Sequence, residues 1–71
     1  MIVRNAEHFG QAIRDRRKRL GYTQQEVADA CGVGVMFVSQ LERGKKSAQL
    51  DKAVLVATML GMDVSLHERG M

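Results

Sequence analysis

Glycine spacing is what most restricts this chain. Gly21, Gly32, Gly44 and Gly61 cut seventy-one residues, none of them proline, into four segments and a short tail. Within each segment apolar residues recur at intervals of three and four, the spacing of short amphipathic helices whose ends are marked by glycine. One small helical domain is expected. A chain this short buries only about 60% of the surface its unfolded form exposes, so a lone core is marginal. The hydrophobic share of 45% suits a compact helical unit better than a disordered tail, and three aromatic residues argue against a many-stranded sandwich. No apolar run approaches the ~20 residues that span a bilayer, and none opens the chain as a signal peptide. Cys31 is the only cysteine, which excludes a disulfide framework and makes a reducing cytoplasm the simplest compartment.

Asn5 can cap a first helix over about residues 6–20, closed by Gly21. Phe9, Ala12, Ile13 and Leu20 fall on one stripe of it. Its last turns carry Arg14, Arg16, Arg17, Lys18 and Arg19. Cations there complement the helix dipole, and they equally suit an edge that faces phosphates. Thr23-Gln24-Gln25-Glu26 is a capping box. It opens a short helix over about 24–30, with Val27 and Ala28 facing inward. Cys31-Gly32-Val33 breaks that helix, and a third follows over about 34–42 with Phe37, Val38 and Leu41 as its apolar face and Gly44 as its stop. Two short helices joined by a glycine turn form a helix-turn-helix pattern.

A fourth helix, over about 50–60, is capped by Ser47 or Gln49 and closed by Gly61. Leu50, Ala53, Val54, Ala57 and Leu60 give it one apolar face. Leu55, Val56 and Met59 give it a second, more than one small core can cover. Past Gly61 the period changes. Met62, Val64 and Leu66 alternate with Asp63, Ser65 and His67, which predicts a β-strand over about 62–67. Such a strand has no partner within the chain except Ile2-Val3. Pairing with a second copy satisfies its backbone groups, so Leu55, Val56, Met59, Met62, Val64 and Leu66 are the expected homodimer interface.

Three stretches then combine: Ile13-Arg14-x-x-Arg17, Gly21-Tyr22-Thr23-Gln24-x-x-Val27-Ala28 with Gly32-Val33, and Val38-Ser39-Gln40-Leu41-Glu42-Arg43-Gly44-Lys45. Together they resemble the Cro/phage-repressor (XRE) class of helix-turn-helix domains over about residues 9–61. The segments Lys45-Lys46-Ser47-Ala48-Gln49-Leu50 and Leu60-Gly61-Met62-Asp63-Val64 are similar to HipB-like antitoxins. The resemblance implies an all-α, lambda-repressor-like four-helix fold with a short C-terminal strand. It also implies a cytoplasmic dimer that represses its own operon on palindromic double-stranded DNA and restrains a HipA-type kinase toxin. Two other readings remain open: a solitary phage-type or restriction-control regulator, and a toxin-neutralising module that binds DNA weakly. A kinase-like gene next door separates the first from an antitoxin; salt-dependent binding to operator and random duplexes identifies the second.

The resemblance also assigns roles. It puts Gln24, at the start of the second helix, on a DNA phosphate, where side-chain amides and helix N-terminal N–H groups suit anionic oxygens. It pairs Arg17 with Glu42 across the first and third helices. On the third helix, Gln40 can bond adenine N7 and N6 together, and Ser39 can reach base or phosphate. Val35 and Met36 stand where many relatives carry polar residues, which favours contact with thymine methyl groups, although Met36 could equally pack on the core. Arg43, Lys45 and Lys46 follow the helix and suit phosphates, in keeping with the net charge of +3.

No enzyme, cofactor or metal is expected. Cys31 reads as a small buried apolar group, and His8 and His67 lie at opposite ends with no second cysteine to complete a zinc site. Gly32-x-Gly34 follows no strand, so it is a turn rather than a nucleotide loop.

Overall fold

The computed structural model describes residues 2–70, and its regular elements are four helices: α1 (Ala6–Leu20), α2 (Gln24–Cys31), α3 (Val35–Glu42) and α4 (Leu50–Met59). Asn5 accepts the His8 N–H at the start of α1. At α2, Thr23 Oγ1 accepts from the Glu26 N–H while the Glu26 carboxylate accepts from the Thr23 N–H. Two donors that a helix start would leave unpaired are thereby satisfied. α3 packs against α1 on one side and α2 on the other, and α2 also meets α4.

The core is Ile13, Val27, Ala28, Val38, Leu41, Ala53, Val56, Ala57 and Leu60. Val56 therefore belongs inside: it is fully buried, and its expected place on an outer dimer face is incorrect. Residues on a helix advance about 100° each. On that wheel Val56 falls next to Leu60 on the inner arc that also holds Ala53 and Ala57, while Leu55 and Met59 point the other way. Leu50, expected on the core face, is 73% exposed in the first turn of α4, and Leu20 is exposed at the end of α1.

The expected strand over 62–67, alone or paired with Ile2-Val3, is not formed among the described residues; residues 62–70 have no regular structure. A strand needs a ladder partner for its backbone groups, and a single copy offers none. Met62 folds against the core, whereas Leu66 is 96% exposed. Val3 and Val64 line a groove of about 390 Å³ together with Phe9, Ala12 and Met62.

Two contacts join distant parts of the chain. Arg16 Nε donates to the Leu60 carbonyl at 2.8 Å, so a cation of α1 satisfies an acceptor at the end of α4. Arg16→Ala is expected to remove about 1.5–3 kcal/mol, the worth of a charge-assisted hydrogen bond. That is a fall in melting temperature on the order of 6 °C or more, against almost none for the exposed Arg14→Ala. The second contact is steric. Gly10 lies where α1 crosses α3, and a Cβ there would sit 2.2 Å from the Leu41 carbonyl oxygen and 2.9 Å from that of Glu42.

Candidate nucleic-acid interface

An eight-residue helix can bury only part of its circumference. Val38, Leu41 and Glu42 of α3 are buried. Met36, Ser39, Gln40 and Arg43, at i, i+3, i+4 and i+7, share a face turned away from them. Met36 is 61% exposed and Val35, at the edge of that face, is 40% exposed; Ser39 and Gln40 are half-buried at its base. Phe37 packs on the core from its partly buried position. The turn that follows carries Arg43, Lys45 and Lys46, all exposed. One side of the molecule thus combines apolar tips, a hydroxyl, an amide and three cations around one helix.

A buried ionic cluster fixes this helix from behind. Arg17 Nε donates to Glu42 Oε2 at 2.6 Å and a second guanidinium nitrogen donates to Oε1 at 3.0 Å, a two-point contact between α1 and α3. The third guanidinium nitrogen donates to the Tyr22 carbonyl at 2.8 Å, and Gln24 Nε2 donates to Glu42 Oε1 at 3.1 Å. Hydrogen bonding to Glu42 raises the Arg17 pKa, against an opposing effect of burial, so the guanidinium stays charged. Arg17 and Glu42 thus join α1, the α1–α2 turn, α2 and α3. Gln24 contributes one amide hydrogen to this cluster and keeps a second for another acceptor.

Some of these partners have no obvious sequence signal. The basic end of α1 divides: Arg14, Lys18 and Arg19 are exposed, while Arg16 and Arg17 turn inward to Leu60 and Glu42. Gly10 could have been suspected, because a glycine in the middle of a helix costs about 1 kcal/mol against alanine and needs a packing reason. The bond from Lys45 Nζ to Gln40 Oε1, 3.0 Å long, could not, because nothing in the spacing of the two residues brings their side chains together. Burial pushes the Cys31 thiol up from its ordinary pKa, which leaves it a poor nucleophile. Among the described residues no group of three His, Cys, Asp or Glu could hold a metal ion, and no helix is long and apolar enough to cross a membrane.

Known proteins share this fold. The sequence pattern of the helix-turn-helix family matches residues 13–66. The HTH-type transcriptional regulator y4mF of Sinorhizobium fredii is 33% identical over 96% of this chain and 90% of its own length. The transcriptional regulator ClgR of Mycobacterium tuberculosis is 35% identical over 90% of this chain, which spans only 59% of that protein. Among solved structures, a chain of the HipB-O4 20mer complex superimposes with a TM-score of 0.88 and one of the HipA-HipB-O2-O3 complex with 0.89. Each is 18% identical and covers 99% of both chains. The fold is that of HipB, and the chain belongs to the helix-turn-helix family of transcriptional regulators, in its Cro/phage-repressor branch.

Proposed function

We propose that this chain is a homodimeric, sequence-specific repressor that presents α3 to the major groove of operator DNA, and that it serves as the antitoxin of a HipA-type kinase. The observation that carries the DNA reading is the outer face of α3. Val35, Met36, Ser39 and Gln40 stand toward solvent and the cations Arg43, Lys45 and Lys46 follow directly. Eight helical residues span about 12 Å, and the major groove is about as wide. In this reading Gln40 and Ser39 bond base edges, Val35 and Met36 meet thymine methyls, and Gln24, Arg43, Lys45 and Lys46 engage phosphates. The kinase partnership draws its support from the likeness to HipB, which is solved in complex with HipA.

Surplus apolar surface supports the dimer. Leu55, Met59 and Val64 are each close to half exposed, and Leu66 is almost wholly so, on a chain too small to leave such groups idle. One short helix reads too few bases for useful specificity, whereas two around a two-fold axis read half-sites about one turn apart. The strand absent from the single copy forms, in this reading, between the tails of two copies.

Truncation after Gly61, or Met59→Asp with Val64→Asp, is expected to give a monomer by light scattering. Its affinity for a duplex enriched from a random pool should fall at least a hundredfold. A truncated chain that stays dimeric places the interface elsewhere. A monomer that binds with unchanged affinity separates DNA recognition from dimerisation.

A further inference from the structure

Gln40 and Lys45 touch each other before any DNA arrives. The lysine ammonium donates to Gln40 Oε1 at 3.0 Å. Backbone geometry fixes where this lysine starts. Its N–H donates to the Gln40 carbonyl at 3.0 Å, and the Gly44 N–H donates to that of Leu41 at 3.0 Å, which wraps the chain back over the last turn of α3. Gly44 is buried at a φ of +84°, where a Cβ would lie 2.8 Å from Glu7 Cγ and 2.9 Å from Glu7 Cα. The turn therefore has one shape, and Lys45 leaves it beside Gln40.

We propose that Gln40 and Lys45 act as one reading unit whose preferred base is guanine; this rests on α3 being the DNA-reading helix. A glutamine amide alone offers an acceptor and a donor side by side, the complement of adenine N6–H and N7. With Lys45 in place one of the two lone pairs of Oε1 is taken and a positive charge sits beside the other. An adenine amino group approaching the same oxygen meets ammonium hydrogens. What the pair displays is two donors: Nε2–H of Gln40 and a second N–H of Lys45, whose ammonium has three and so keeps the last for a phosphate. In the major groove only guanine presents two neighbouring acceptors, O6 and N7. Lys45 thus inverts the preference that Gln40 would have by itself.

The test enriches duplexes from a random pool with the intact chain. Affinities are then measured on the best duplex, on its single G·C-to-A·T replacements and on a random duplex. Wild type should favour G·C at one pair of each half-site by about tenfold. Lys45→Ala should turn that position toward A·T while leaving the other positions ranked as before, and Gln40→Ala should erase the preference there. Arg43→Ala serves as the phosphate control and should weaken every duplex alike. If Lys45→Ala also weakens every duplex alike with base ranking unchanged, Lys45 touches phosphate only and the proposal falls. A wild-type preference for A·T at the pair that Gln40→Ala affects overturns the guanine assignment but keeps α3 as the reader. Equal affinity of wild type for all duplexes overturns both. Melting curves within a few degrees of wild type show that the variants are folded.

Discussion

Glu42→Gln is expected to destabilise the fold by about 3–5 kcal/mol, the usual result of stranding one member of a buried ion pair. In a chain of this size that lowers the melting temperature on the order of 12 °C or more. Glu42 accepts from two nitrogens of Arg17 and from Gln24, and its side chain is 3% exposed. A neutral amide leaves the Arg17 guanidinium charged, desolvated and facing a group that supplies one acceptor where there were two. The exposed Glu68→Gln is the control and should change stability by less than about 0.5 kcal/mol. The double variant Arg17→Met with Glu42→Leu sharpens the measurement, because replacing both charges removes the stranded partner. It should melt above either single variant. Equal and small shifts for Glu42→Gln and Glu68→Gln would contradict the ionic cluster as the anchor of α3.

Gly10→Ala is the second large effect, and intrinsic propensity gives it the wrong sign. Alanine is the better helix former by about 1 kcal/mol, so a rule based on α1 alone predicts a gain. Packing predicts a loss of about 3 kcal/mol, at the upper end of overpacking penalties, because the added methyl meets carbonyl oxygens of α3 and no flexible side chain. The helices must separate, and the Arg17–Glu42 contact, two turns further along α1, opens with them. Calorimetric melting beside Gly34→Ala, whose Cβ meets nothing within 4 Å, distinguishes the two. A stabilised Gly10→Ala would mean that α1 and α3 do not approach this closely.

Local signals made the helices legible in the sequence, and side-chain competition hid much of the site. Capping chemistry is local, so Asn5, the Thr23–Glu26 box and Gly21 marked helix ends where the structure has them. The arcs of α4 were less legible. With Leu50, Val54, Leu55, Val56 and Met59 all apolar, composition does not say which arc faces inward. Only the packing of α2 on α4 does, and it puts Val56 inside and leaves Leu55 outside. The expected strand beyond Gly61 rests on alternation alone. Alternation states which faces a segment would have and says nothing about whether a partner is present to pair with it. On α3, outward positions follow from the 3.6-residue period. The bond from Lys45 to Gln40 depends on how the chain turns at Gly44, a long-range matter settled by Glu7 of α1.

The two anchors of α3, the close crossing at Gly10 and the ion pair at Arg17, have a kinetic consequence. They sit seven residues apart on α1, two turns of one rigid element, and both meet the last turn of α3, at Leu41 and Glu42, so that turn is fixed against α1. In the proposed DNA-binding role, association with a duplex orders few side chains, chiefly Met36 and the cations past Gly44, and requires no coupled folding of α3. The encounter rate of such a surface is governed by charge and ionic strength rather than by a slow rearrangement. Differences between good and poor sites accordingly appear in how long the complex lasts.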